Sequence, residues 1–149
     1  MPKFIFRLQS FLNFKKQLEK NVQNELGIAT QKLQSEILKL RRIEEDIENY
    51  LNEFRAACTG AVRPEKVKEL KTYLEHLYDR EQEQKLNVKR EQQNVDKIRE
   101  KLIGIMRDKK VLENLKDKNF QEFLSEQEKS EQLLTDELVS YKEATKEKG

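Results

Sequence analysis

An apolar residue recurs at every seventh position through Leu26, Leu33, Leu40, Ile47 and Phe54. The repeat stops at Cys58-Thr59-Gly60-Ala61-Val62-Arg63-Pro64 and resumes as Val67, Leu74, Val88, Val95 and Leu102. Residues seven apart lie along one stripe of a helix, and a second stripe half a heptad away completes the narrow seam by which two helices pair. In the first helix the a-type positions are Ile5, Leu12, Glu19, Leu26, Leu33, Leu40, Ile47 and Phe54, and the d-type positions are Leu8, Lys15, Val22, Ala29, Glu36, Ile43 and Tyr50. The pattern predicts an all-α chain of two long helices folded into an antiparallel coiled-coil hairpin. The first helix spans about 4–57, the turn about 58–64 and the second helix about 65–141, in a single helical domain over 1–149 that ends in a frayed tail.

The turn is marked by chemistry as well as by the lost repeat. Thr59 and Gly60 supply a helix-ending signal, and Pro64 suits the first turn of the next helix, where no N–H is required of it. Glu65 then sits at the positive end of the helix dipole. The returning seam runs through Val67, Leu70, Leu74, Leu77, Val88, Val95, Ile98, Leu102, Ile105 and Leu112, interrupted by Glu81, Gln84 and Glu91. Folding about Gly60 places Phe54 near Glu69, Leu40 near Glu83, Leu26 near Lys97 and Leu8 near Leu115. The paired part is then on the order of 75 Å long, the proportions of a lever. The first helix runs out of partner near Phe120, and beyond it Ser125, Ser130, Ser140 and a Lys-Glu-rich ending predict fraying. Polar seam residues Lys15, Glu19 and Glu36 weaken the pairing but hold its register against slippage. Gly27, beside the seam, costs about 1 kcal/mol of helix propensity relative to alanine.

Composition removes the alternatives to a helical seam. Charged residues are 39% of the chain and apolar residues 36%, against roughly 25% and 45–50% in an ordinary domain, so a rounded core cannot be filled. Thirty basic and 28 acidic residues are interleaved along the sequence, with none of the one-signed stripes that a nucleic-acid partner requires. No apolar run approaches the roughly 20 residues of a membrane span. The amino terminus shows no recognisable cleavage site, and the only cysteine, Cys58, precludes an internal disulfide and fits a reducing cytoplasm.

Candidate chemistry is sparse. His76 is the only histidine, so neither a zinc site nor a nucleophile-base pair assembles around it. Glu44, Glu45, Asp46 and Glu48 lack a common pocket, and no glycine-rich phosphate loop occurs. No enzymatic activity, metal, cofactor or small-molecule substrate is expected. Aromatic residues are more informative. Tyr50, Phe54, Tyr73 and Tyr78 gather near the turn with Leu77, either filling the seam or forming a docking surface. At the other end Phe4, Phe6, Phe11 and Phe14 accompany Lys3, Arg7, Lys15 and Lys16, with no acidic residue before Glu19. One helix face cannot hold all four phenylalanines, so some meet the second helix, a partner or a membrane surface.

Three stretches resemble the flagellar FliJ family and its YscO-like relatives: Lys3-Phe4-Ile5-Phe6-Arg7-Leu8-Gln9-Ser10-Phe11-Leu12, Tyr50-Leu51-Asn52-Glu53-Phe54-Arg55, and Arg107-Asp108-Lys109-Lys110-Val111-Leu112-Glu113-Asn114-Leu115-Lys116. The resemblance covers essentially the whole chain. It implies a type III export component shaped like the rotary ATPase gamma-subunit stalk, cytoplasmic and peripherally associated with the inner-membrane export apparatus, and a monomer when free. The implied partners are the hexameric flagellar export ATPase, the cytoplasmic part of the export gate membrane protein, and export chaperones or substrates. By the same resemblance Ile47, Tyr50, Phe54, Tyr73 and Leu77 contact the gate. Phe4, Phe6, Leu8, Phe11, Arg107, Lys109, Lys110, Leu112 and Leu115 contact the ATPase ring. Two other readings fit the pattern alone, a self-associating structural coiled coil and a prefoldin-like holdase.

Overall fold

A computed structural model describes residues 2–147, with side chains described to residue 146. Its regular elements are two helices, α1 (Gln9–Ala57) and α2 (Pro64–Glu147), with no strand among the described residues. The chain divides into two compact units. The turn unit is Lys20–Ile103, and the terminal unit combines Met1–Glu19 with Gly104–Gly149.

In the turn unit α1 and α2 form the expected antiparallel hairpin. Ala29, Leu33 and Val95 make one buried cluster, with Leu26, Ile37, Val88 and Ile98 packed on it. Ile43, Ile47 and Leu77 make a second, flanked by Tyr50 and Leu51. The cross-helix pairs Tyr50 with Tyr73, Glu36 with Gln84, Lys32 with Glu91 and Glu25 with Lys101 descend one helix as they ascend the other. That is the register expected from folding the sequence about Gly60.

The connection closes as its residues require. The Cys58 amide donates to the Phe54 and Arg55 carbonyls, and the Thr59 amide and hydroxyl both donate to the Ala56 carbonyl, at 3.3 and 2.9 Å. Carbonyls left without helical partners at the end of α1 are thereby satisfied. Gly60 follows with a φ of +77°, in the left-handed region that a side chain disfavours. The Arg63 carbonyl accepts from the Val67 amide at 3.2 Å, which starts α2 with Pro64 in its first position.

Between the two turn-unit clusters the seam becomes polar. Gln84 is buried and its Nε2 donates twice to Glu36, to the backbone carbonyl at 2.8 Å and to Oε2 at 2.6 Å. Asn87 Nδ2 donates to Gln84 Oε1 at 3.2 Å. A buried amide lacking these partners would cost about 1–3 kcal/mol, so the clasp disfavours every register but this one. Glu36 is held below its ordinary carboxyl value of 4.5, chiefly by the Gln84 hydrogen bond and further by Lys39, against the opposing pull of burial.

The terminal unit carries the other two polar seam residues, and α2 answers both. Lys15 Nζ meets Asp108 Oδ2 at 3.0 Å, and Glu19 Oε2 meets Lys109 Nζ at 2.7 Å. The apolar part of this unit is Phe6, Leu12 and Leu112, with Phe4 packed on the cluster.

Two boundaries differ from the sequence expectation. The first helix begins at Gln9 rather than near Phe4. Phe6 is buried to 5% exposure and Phe4 lies against Phe120 and Phe123 at ring-centroid distances of 5.2 and 5.6 Å. A helix through this segment would separate two residues at i and i+2 by about 200°, whereas an extended arm lets both reach α2. Ile5, assigned to the seam by periodicity, is consequently 83% exposed. The second helix runs past 141 to Glu147, through the serines expected to fray it. No glycine or proline falls between Gly104 and Gly149, and Glu, Lys, Leu and Gln sustain helix by propensity. Every residue of 128–146 is exposed.

Gly60→Ala is expected to destabilise the chain by about 1–2 kcal/mol through backbone strain alone, because nothing lies within 4 Å of an added Cβ. Gly27→Ala, equally unobstructed but within α1, is expected to stabilise it by about 0.5–1 kcal/mol. Urea denaturation monitored by circular dichroism measures both, and the opposite sign in either contradicts the local accounts given for them.

A carboxyl whose folded-state value is lowered contributes stability above its ordinary value and loses it as pH falls through the folded-state value. The Glu36 contribution is therefore present above pH 4.5 and lost below it. Glu36→Gln should flatten the acid limb of the stability-pH curve, and an unchanged limb would show that the clasp does not depend on the carboxylate.

Candidate functional site

The first exposed surface lies in the turn unit. Tyr50 near the end of α1 and Tyr73 in the third turn of α2 approach to 4.5 Å between ring centroids, and His76 lies 6.2 Å from Tyr73. Tyr73 is 39% and Tyr78 42% exposed. Glu65, Lys68, Glu69, Thr72, Tyr73 and His76 line a shallow groove of about 570 Å³ along one face of early α2. Its spacing of three and four residues follows the helical repeat, so the groove belongs to α2 itself.

Tyr50 ionises above its ordinary value of 10.0, first because of the neighbouring Tyr73 and then because of burial and Glu53. Burial disfavours the charged phenolate, and Tyr73 and Glu53 add the repulsion of groups that are negative at high pH. Tyr50 is thus neutral near pH 7, able to donate and accept hydrogen bonds while presenting aromatic area. Cys58 is exposed in the turn. Among the described residues no group of three or more His, Cys, Asp or Glu is placed to hold a metal ion.

The residues assigned to this surface by resemblance do not all reach it. Tyr73 is exposed and Tyr50 and Phe54 are partly so, but Ile47 is 6% and Leu77 0% exposed in the seam cluster. These two hold the helices together beneath the surface. His76 joins Tyr73 on the accessible face, while Tyr78, about 140° round the helix from Tyr73, is exposed on another side, as its off-seam position indicates in the sequence.

The second surface lies in the terminal unit. Of the nine residues assigned there, Phe6 and Leu112 are buried together, Phe4 is packed on Phe120 and Phe123, and Lys109 is engaged with Glu19. That bond is the first cause holding the Lys109 ammonium above its ordinary value of 10.5. Leu8, Phe11, Arg107, Lys110 and Leu115 remain exposed. Phe14, at 58% exposure, and Val111, at 65%, belong with them. Phe11, Phe14 and Leu18 share one face of α1 by their spacing of three and four, and Arg107, Val111 and Leu115 share one face of α2 at intervals of four. Lys15 Nζ sits 5.5 Å from the Phe11 ring centroid, covering it from one side. The surfaces that result are aromatic or aliphatic stripes bordered by cations. No helix is long and apolar enough to cross a membrane among the described residues.

An all-helical chain whose accessible chemistry consists of side chains suited to contact defines a binding component of a larger assembly. The model of the flagellar FliJ protein family matches residues 4–148, and the chain belongs to that family. It is accordingly a component of the flagellar export apparatus, from a family of non-catalytic export proteins. No curated protein and no solved structure matches it.

Replacing the buried and the exposed members of the turn surface should separate packing from contact. Leu77→Ala is expected to cost about 2–5 kcal/mol by opening a cavity, while Tyr73→Phe leaves stability nearly unchanged and brings the Tyr50 ionisation midpoint down toward that of free tyrosine. Denaturation and phenolate absorbance read the two effects, and an unmoved midpoint in Tyr73→Phe would show that the rings do not interact as described.

Proposed function

We propose that this chain is the coiled-coil stalk of the flagellar export apparatus, binding and promoting the hexameric export ATPase and linking it to the cytoplasmic part of the export gate. It also serves export chaperones or substrates as a general or escort chaperone, from the cytoplasmic side of the inner-membrane apparatus. Family membership supports the setting. The observation that carries the finer reading is the pair of separate accessible surfaces, Tyr50, Tyr73 and His76 in one unit and Leu8, Phe11 and Phe14 in the other.

In the ring-facing role Arg107 and Lys110 supply charge, and Leu8, Phe11 and Leu115 supply apolar area. A single chain within a ring of six subunits cannot touch all of them alike. It can therefore favour different nucleotide states in different subunits, a coupling carried by differential binding and requiring no chemistry of its own. Phe4, Phe6, Lys109 and Leu112 support this surface from beneath by fixing the arm and the opening of α1 against α2.

The holdase reading has one observation in its favour, the apolar side chains exposed along the final part of α2, including Leu133, Leu134 and Leu138. It predicts suppression of aggregation of unrelated clients, with no effect on the ATPase.

Purified chain is expected to raise the hydrolysis rate of the cognate export ATPase when fewer chains than rings are present. Phe11→Asp together with Arg107→Glu should abolish that rise, while Tyr73→Ala keeps it and loses capture of the gate's cytoplasmic part. An unchanged hydrolysis rate with no detectable binding would refute the stalk reading.

A further inference from the structure

Among the described residues, the end of α2 is exposed on all sides. Residues 128–146 are all exposed, including Leu134 at 57%, Leu138 at 60% and Tyr141 at 68%, which share one face at spacings of four and three. Leu124, at 42% exposure, continues the same stripe ten residues earlier. A lone helical segment of this length is marginal in water, and its apolar stripe is left exposed.

The same unit contains a second uncovered stripe of opposite charge. Residues 2–18 hold Lys3, Arg7, Lys15 and Lys16 and no acid, and they expose Phe11 and Phe14. Residues 121–141 hold six acidic residues and one lysine. One segment is therefore basic and aromatic, the other acidic and largely aliphatic; within the chain they meet where Phe4 packs on Phe123, while Phe11 and Phe14 on one and Leu134, Leu138 and Tyr141 on the other stay exposed.

We infer that the uncovered end of α2 docks on the opening turns of α1 in a second copy of this chain, and that the second copy returns the contact by two-fold symmetry. In this dimer Leu134, Leu138 and Tyr141 of each copy cover Phe11 and Phe14 of the other, with Arg7 and Lys3 facing the acidic flanks. Closed symmetry uses each patch twice, which brings two modest helix faces toward the roughly 1,200–2,000 Å² of a specific interface. An anionic lipid surface fits less well, because the acidic segment of the same unit would be repelled by it. The monomer expected from the sequence is then the dissociated form of a reversible dimer. Phe11 serves both the dimer and the proposed ring contact, so the two states exclude one another, but the dimer itself is measured on the chain alone and stands whether or not the ring reading holds.

Sedimentation equilibrium of the full chain tests it. The weight-average mass should rise with concentration from 17.9 kDa toward twice that value, and less steeply as salt is added. Leu134→Asp with Leu138→Asp, and separately Phe14→Asp, should each raise the dissociation constant about tenfold or more. These positions are exposed, so both variants keep the fold of the paired helices, verified by circular dichroism. Mixing the two variants should restore association in part, because one acceptable stripe-to-stripe contact survives in the mixed dimer. A constant mass of 17.9 kDa to the solubility limit overturns the proposal. So does a dimer untouched by Phe14→Asp, which would mean that the α2 ends pair with each other, and so does association with vesicles of anionic lipid in place of self-association.

Discussion

The seam between α1 and α2 is the constraint on which every other feature of this protein rests. Neither helix has enough apolar surface to fold around a core of its own, and in each unit the buried apolar residues gather into small clusters, of Leu, Val, Ile and Ala in the turn unit and of Phe and Leu in the terminal unit. Burial of one such side chain contributes about 1.5–3 kcal/mol, so only repetition along the seam overcomes the entropy of ordering two long helices. Repetition also creates ambiguity, since a repeating stripe matches itself when shifted by seven. The polar interruptions remove that ambiguity. Lys15, Glu19 and Glu36 each find a partner across the seam, and Gln84 makes two hydrogen bonds to Glu36 that a shifted pairing would break.

Much of this was legible because coiled coils are governed by period. The heptads of α1, the punctuation by Thr59, Gly60 and Pro64, and the register all follow from local sequence. Where the expectation failed, tertiary contact overrode a periodic signal. Ile5 continues the heptad perfectly well, yet the pull of Phe4 and Phe6 toward α2 keeps residues 2–6 out of the helix, with a turn at 7–8 before Gln9, and leaves Ile5 outside. At the other end serines read as weakening, but no competing contact or helix-breaking residue is present to realise that weakness.

The candidate surfaces were less legible for a related reason. A stretch that resembles a family does so through residues that pack as well as residues that touch partners, and a motif does not separate the two. Ile47, Leu77, Phe6 and Leu112 are all assigned to contact surfaces by the resemblance and are interior. Position relative to the seam distinguishes them better. Tyr78 and Val111 lie off it and are exposed, whereas Leu77 and Leu112 lie on it and are buried. Periodicity thus carries information about contact surfaces as well as about helices, provided the register is known first.

The antiparallel pairing also orders events in time. Tyr50 and Tyr73 are joined by a short stretch of chain, while Phe4 and Phe123 are joined by nearly all of it. The entropic cost of closing a loop grows with its length, and contacts of low sequence separation form fastest. Loop entropy therefore favours zipping outward from the bend at Gly60, each closed pair shortening the loop left for the next. By the same count the aromatic arm that carries Phe4 closes the longest loop and depends most on the pairs formed before it.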